Sequence, residues 1–194
     1  VSYDNKKKLI NNINKDIQRM NQLITDISNF TRIKAEIELQ QNEFLVLNNF
    51  LGEVLNYFKD NNKNIEIIIE DREANISLLV NKSKLLQVFI NIIENSISLA
   101  KKNTKIFILI SILREQNVQI KIYDQGKGVV FDDHEKIFNR FYTDREEDKI
   151  THTGLGLSIA REIVQSFKGS LKLTISDKND YRGACFVMIL PVRT

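Results

Sequence analysis

The chain is short of several things that would narrow its class at once. It has a single cysteine, Cys185, which excludes an intramolecular disulfide framework and suits a reducing compartment. It has no long hydrophobic run. The most apolar stretch, Ile106 to Ile110 continuing past Ser111 to Leu113, falls far short of the roughly 20 residues that cross a bilayer. Charge of one sign is also missing, since 28 basic against 25 acidic residues leave a net +3, too balanced to mark a nucleic-acid binder. There is no internal repeat, no low-complexity tract, no initiator methionine and no charged-then-apolar leader. The chain is therefore expected to be a piece of something longer. With 194 residues, 42% apolar and 27% charged, it has the length and composition of one full globular domain plus a helical appendage.

Ile10, Ile13, Ile17, Met20, Ile24 and Ile27 recur at spacings of 3, 4, 3, 4 and 3, the 3.5-residue period of supercoiled helices. Leu9, Leu23 and Phe30 widen the stripe to the breadth of a bundle helix, and Lys15, Asp16, Arg19, Asn21 and Asp26 form its wet face. Such a stripe cannot bury itself, so it needs a partner helix. A long helix packed on its own domain is the alternative.

From about Glu43 the period changes. A strand at Phe44 to Leu47 leads into a helix with Leu51, Val54, Leu55 and Phe58 on one face, capped by Asn48 or Asn49. Strands are expected at Ile65 to Glu70 and Ile76 to Val80, followed by a long helix from Lys82 to Lys101 with Asn81 or Ser83 as cap. Lys105 to Leu113 and Val118 to Tyr123 read as a strand pair. Residues 125 to 153 show little regular pattern beyond a short helix near Glu135 to Phe138, the signature of a functional lid. Leu155 to Phe167 reads as a helix, and Leu171 to Ile175 with Ala184 to Leu190 as a closing hairpin. The fold class is α+β, a two-layer sandwich of a sheet with helices on one face.

Three groups of residues can carry chemistry. Asn91 and Asn95, one helical turn apart, project carboxamides from one face, and a carboxamide oxygen is a hard neutral ligand suited to Mg²⁺. Read alone, the pair favours solvent-facing amides in an Asn-rich chain. Asp124 ends a strand and precedes Gly126 and Gly128, so an acid able to accept from an exocyclic amine sits beside backbone that can approach closely; alone, this is just a turn. Gly154 and Gly156 precede an apolar helix, leaving unpaired amides where a polyphosphate could meet the positive end of the helix dipole.

In this order the set resembles the ATP-binding domain of sensor histidine kinases, within the gyrase, Hsp90 and MutL type of ATPase fold (the GHKL or Bergerat fold). Asn91 to Asn95 is similar to the N box, Asp124 to Gly128 to the G1 turn, and Ile137-Phe138-Asn139-Arg140-Phe141-Tyr142 to the F box. Thr153-Gly154-Leu155-Gly156-Leu157-Ser158 is similar to the G2 box, and Gly183-Ala184-Cys185-Phe186 with Leu190-Pro191 to the last hairpin. The likeness runs from about Phe44 to Pro191, and the preceding seam resembles the second helix of the dimerisation hairpin. Residues 1–40 are thus expected to form that helix, and 43–194 the catalytic domain. Phe141 to Arg145 further resembles the ChvG-type envelope-stress kinases.

The resemblance implies that Asn95 holds Mg²⁺, Asn91 lines the phosphate side, Asp124 with Gly126 and Gly128 reads adenine, and Gly154, Leu155, Gly156 and Leu157 wrap the phosphates. It implies that Phe138 and Phe141 anchor the lid, and it offers Arg140, Arg145 and Lys149 as cations for the γ-phosphate, each otherwise an exposed charge. ATP and Mg²⁺ are the implied cofactors. The implied partners are a second copy through the N-terminal helix and a response-regulator receiver domain; the implied location is the cytoplasmic portion of an inner-membrane sensor. The sequence departs from the family pattern at Ser98, where a Lys or Arg is usual, at His152 in place of a glycine, and at Val130 in place of a proline. Lys101 or Lys102 could supply the missing cation. The family's acceptor histidine has no counterpart: the chain's two histidines are His134, in a polar loop, and His152, beside the phosphate loop. The implied function is ATP-dependent phosphorylation of a histidine outside this chain. A GHKL-type ATPase and a degenerate nucleotide-binding or dimerisation module are the alternatives.

Overall fold

The computed structural model describes residues 41–61, 65–71, 76–100, 103–113, 116–128, 134–142 and 153–192, with scattered helical positions between 5 and 28. Its centre is a five-stranded sheet in the order β2-β4-β5-β7-β6, made of β2 (Glu66–Asp71), β4 (Lys105–Leu113), β5 (Asn117–Tyr123), β6 (Ser170–Ile175) and β7 (Ala184–Pro191). Only the β2–β4 pair is parallel. A two-stranded ribbon, β1 (Glu43–Val46) with β3 (Ser77–Val80), stands apart and touches the end of the chain through a single bridge from Leu78 to Val192.

Alternation fixes which face is buried. Ile106, Ile108 and Ile110 of β4, Val118, Ile120 and Ile122 of β5 and Phe186, Met188 and Leu190 of β7 point one way and are buried. Over them lie α1 (Leu47–Asn61), α2 (Lys82–Leu99) and α3 (Gly156–Ser166), with Phe50, Val54, Phe58, Val88, Phe89, Ile92, Ile163 and Val164 in one continuous core. Phe50 and Phe89 meet edge to face across α1 and α2, their ring centroids 5.4 Å apart. The expected two-layer α+β architecture is the one found.

Local differences have local causes. Asn81 does cap α2, its side chain accepting from the Lys84 amide at 3.0 Å. Asn48 and Asn49 cap nothing, because α1 already begins at Leu47, whose amide is taken by the Ile76 carbonyl at 2.9 Å. The α2 helix stops at Leu99, where Ala100 turns extended. The short helix of the irregular stretch is a single 3₁₀ turn, Lys136–Phe138. In the N-terminal segment, Leu9, Ile10, Ile13, Ile17, Met20 and Ile24 are helical and 49–61% exposed, while Leu23, Ile27 and Phe30 lie outside the described residues. Among the described residues no helix is long and apolar enough to cross a membrane.

Candidate functional site

The C-terminal half of α2 is where the three sequence groups meet. Leu85, Val88, Phe89, Ile92, Ile93 and Ser96 form its buried face, which leaves Asn91 and Asn95 half-buried at the edge of the helix layer. Asn91 faces the first residue of α3: a Cβ built on Gly156 would stand 3.7 Å from the Asn91 Cγ and Oδ1. The Asn91 Nδ2 is buried and has no hydrogen-bond partner, which for a group of that polarity is a cost no local feature relieves.

Beside it, α3 opens without a side-chain cap. Leu155 is the N-cap residue and contributes only its carbonyl, which accepts from the Ile159 amide and the Ser158 hydroxyl. The first amides of the helix thus sit at its positive end with Asn91 alongside, an arrangement suited to an anion. The Leu155 side chain itself is buried in the core, so this residue can offer a ligand backbone only.

Gly154 is required by its surroundings. Its φ is +71°, and an added Cβ would run into the peptide joining Phe141 to Tyr142. The Phe141 amide donates to the Gly154 carbonyl at 3.1 Å, so the end of the F-box stretch and the start of the glycine loop are tied together. Phe138 packs as expected: it is buried, with the Arg161 guanidinium 3.5 Å above its ring. Arg161 is itself held by Glu135 and by the Leu171 carbonyl. Phe141 does not pack as expected. Its φ is +63° and its ring is 54% exposed, because the turn that satisfies its amide swings the side chain outward. Arg140 is committed as well, in an ion pair with Glu162. Arg145, Lys149, Lys101, Lys102, Val130 and His152 lie outside the described residues, and His134 is half-buried in the turn before the 3₁₀ segment.

Asp124 forms the other end. It follows β5 directly and is 2% exposed. Its Oδ1 accepts from the Gly126 amide at 2.9 Å and the Ala184 amide at 2.8 Å, and its backbone pairs with Gly183 and Ala184. Oδ2 is buried with no partner. Burial pushes the carboxyl above the usual Asp range, opposed by the two amides and by the hydroxyl of Ser96. Gly126 stands against the end of α2: an added Cβ would lie 3.0 Å from Asp124 Oδ1 and 3.6 Å from the Leu99 carbonyl. Gly128 takes φ +75° to pass the Arg182 carbonyl.

Two residues escaped sequence reading. Gly183 was legible only as part of a hairpin, yet no other residue fits there, since an added Cβ would overlap Asp124 Oδ1. Ser96 is fully buried on the apolar face of α2, its hydroxyl donating to the Ile92 carbonyl at 3.1 Å. A polar residue interrupting that face was the available signal.

An acid with one open oxygen at one end, uncapped helix amides at the other and two carboxamides between them define an elongated polar site built on one helix. Residues 80–194 match the family described as histidine kinase-, DNA gyrase B- and HSP90-like ATPase, and the chain belongs to that family. It is the ATP-binding catalytic domain of the sensor histidine kinase class. The chain is similar to sensor protein ChvG of Rhizobium meliloti (strain 1021), 33% identical over 201 residues that cover 97% of this chain and 35% of that protein. It is also similar to the catalytic domain of histidine kinase ThkA, at 25% identity and a TM-score of 0.67, covering 78% of this chain and 98% of that one. ThkA in complex with the response regulator protein TrrA aligns at 23% identity and a TM-score of 0.70, covering 100% of this chain and 53% of that one. The chain spans about a third of the length of the ChvG proteins it matches, 35% and 34%.

Proposed function

We propose that this chain binds Mg·ATP between Asp124 and the start of α3, and presents the γ-phosphoryl to a histidine outside the chain, from which it passes to a response-regulator receiver domain. The observation that carries the site is that two of its polar atoms, Asp124 Oδ2 and Asn91 Nδ2, are buried without a partner. An amine donor suits the first and a phosphate oxygen the second.

In this reading Asp124 Oδ2 accepts from the 6-amino group of adenine, Gly126 and Gly128 let backbone close on the base, and Asn91 with the amides at Gly156 and Leu157 holds phosphate. Phe138 fixes the F-box turn to α3, and the Phe141-to-Gly154 hydrogen bond sets where the glycine loop begins. Asn95 would hold the metal. The donor set suits that role only in part: among the described residues no cluster of three or more His, Cys, Asp or Glu could hold a metal ion, so the ion must bring phosphate and water oxygens with it. Bound there, Mg²⁺ supplies neutralisation of phosphate charge in transfer to the histidine.

The exposed seam of the N-terminal helix supports homodimerisation through residues 1–40, with the catalytic domain at 43–194. The ThkA–TrrA complex supports a receiver-domain partner, and the likeness to ChvG supports a membrane-anchored parent whose anchor lies outside this chain. Calorimetric titration with ATP tests the site: Mg²⁺-dependent binding is expected, with Asp124→Ala and Asn95→Ala each weakening it by about 100-fold, roughly 3 kcal/mol, and His134→Ala leaving it unchanged. Equal losses for all three variants would mean the site is elsewhere.

A further inference from the structure

One arginine joins three separate elements close to the opening of α3. Arg161 lies on α3 itself, and its guanidinium is committed within the fold. Its Nη1 donates to Glu135 at 2.6 Å, its Nη2 donates to the Leu171 carbonyl of β6 at 3.1 Å, and the group lies 3.5 Å from the centroid of the buried Phe138 ring. Glu135 is exposed, so an ion pair to it alone would hold little. The ring and the carbonyl turn the contact into a clamp, because a planar guanidinium can stack and donate from two edges at once. The next residue, Glu162, pairs with Arg140. Consecutive α3 residues of opposite sign thus grip the F-box turn on both sides of Phe138.

The turn carries that grip to the glycine loop. The amides of Phe138, Asn139 and Tyr142 donate to the carbonyls of Glu135, Lys136 and Asn139 at 3.1, 2.9 and 3.2 Å, so the turn is one hydrogen-bonded unit from Glu135 to Tyr142. Out of this unit the Phe141 amide donates to the Gly154 carbonyl, where the two backbones approach so closely that no Cβ fits on Gly154. Gly154 stands two residues before the first residue of α3. Where the turn sits on α3 therefore decides how the chain enters that helix.

We propose that Arg161 is a positioning residue for the phosphate end of the site: by clamping the F-box turn to α3 and β6 it holds Gly154, and through it the amides of Gly156 and Leu157, converged before a ligand arrives. The inference rests on the reading of those amides as phosphate ligands. Without the clamp they must be ordered when the phosphates bind, and that cost appears as lost affinity. It falls on one end only. Asp124 is held by the amides of Gly126, Gly183 and Ala184, none of which belongs to the clamp.

The test is the affinity of the whole 194-residue chain for ATP and for adenosine, both with Mg²⁺ present, in the parent, Arg161→Met and Arg161→Lys. Arg161→Met keeps an unbranched stem against Phe138 and removes the guanidinium. It is expected to weaken ATP about tenfold while leaving adenosine within twofold, so that the preference for ATP falls by about the same factor. Arg161→Lys keeps a charge for Glu135 but cannot stack and donate from two edges, and is expected to lose about threefold of the preference; it carries the test should Arg161→Met fail to fold. Equal losses for both ligands, or an unchanged preference in either variant, would mean that Arg161 serves the fold alone, and overturns the proposal while leaving the site intact. A parent that binds adenosine as tightly as ATP would instead overturn the phosphate reading, and this inference with it.

Discussion

Tyr123 and Asp124 are consecutive residues that point to opposite faces of the sheet, and the two faces treat polar groups in opposite ways. On the outer face, Tyr123 packs beside Phe107, with ring centroids 5.9 Å apart, and its hydroxyl donates to Asp177 at 2.8 Å. Lys121 completes the set with an ion pair to Asp177 at 3.2 Å, and the Lys178 ammonium lies 4.4 Å from the Phe107 ring centroid. Burial, then the hydrogen bond to Asp177, pushes the Tyr123 hydroxyl far above its ordinary value, while the Tyr123 hydroxyl holds Asp177 below the usual carboxylate range. On the helix-covered face one residue later, Asp124 keeps an oxygen that nothing meets. A fold that pairs its polar tips so fully on one side has the means to do so on the other. The orphaned atoms of Asp124 and Asn91 are not alone, since Thr104 Oγ1 is also buried without a partner, but they fall beside the glycine turns of the site, where groups that a ligand brings can meet them.

The sharpest way to break this comparison is through the residue that joins the two faces. Gly183 ends the loop that carries Asp177 and Lys178 and donates its amide to the Asp124 carbonyl. A Cβ there would overlap Asp124 Oδ1, which two backbone amides hold in place, and crowd the backbone of Gly126 and Asp124, which cannot step aside. Gly183→Ala is expected to cost about 3 kcal/mol in urea unfolding and to remove ATP binding together with it. An unaltered unfolding midpoint would mean the Asp124 turn is far looser than described.

Tyr123→Phe asks the converse question. It deletes one hydrogen bond to a charged but exposed partner, so a loss of about 1 kcal/mol is expected. ATP affinity should stay within twofold, because the outer face holds the loop and touches nothing in the site. A drop in affinity comparable with the loss for Asp124→Ala would show that the faces are coupled through the backbone between them.

What the sequence disclosed follows the reach of the interactions involved. The apolar run of Lys105 to Leu113 read as a strand with its observed limits, and Asn81 three residues before the amide it accepts from was a readable cap. Both signals are local. The start of α1 was misplaced because the Leu47 amide is satisfied by Ile76, which only the folded chain brings near. In the site, Asn91, Asn95, Asp124 and the glycines were legible as motifs. Ser96 was not, because its enclosure on the apolar face of α2 and the hydrogen bond of its hydroxyl to the Ile92 carbonyl belong to the folded helix layer. Phe141 read as a packed aromatic, and its exposure comes from a left-handed turn that composition does not encode.

The smallest expected effect tests the open face most directly. In Asp124→Asn the Oδ1 acceptor for Gly126 and Ala184 survives, and the negative charge goes. Because burial raises the folded carboxyl above its ordinary value, the folded chain holds the Asp124 proton more tightly than the unfolded chain does. Stability from this group is therefore greatest below the ordinary carboxyl range and declines as pH rises through the raised value, leaving a buried charge to be carried at neutral pH. Asp124→Asn removes that burden: the ligand-free protein should melt about 2–4 °C higher at pH 7, and the gain should vanish as the pH falls below the ordinary range of an Asp. ATP binding should weaken in the same variant. The opposite sign, a lower melting temperature at pH 7, would show that the Asp124 charge is already compensated without ligand, and the contrast with Tyr123 would then be one of geometry alone.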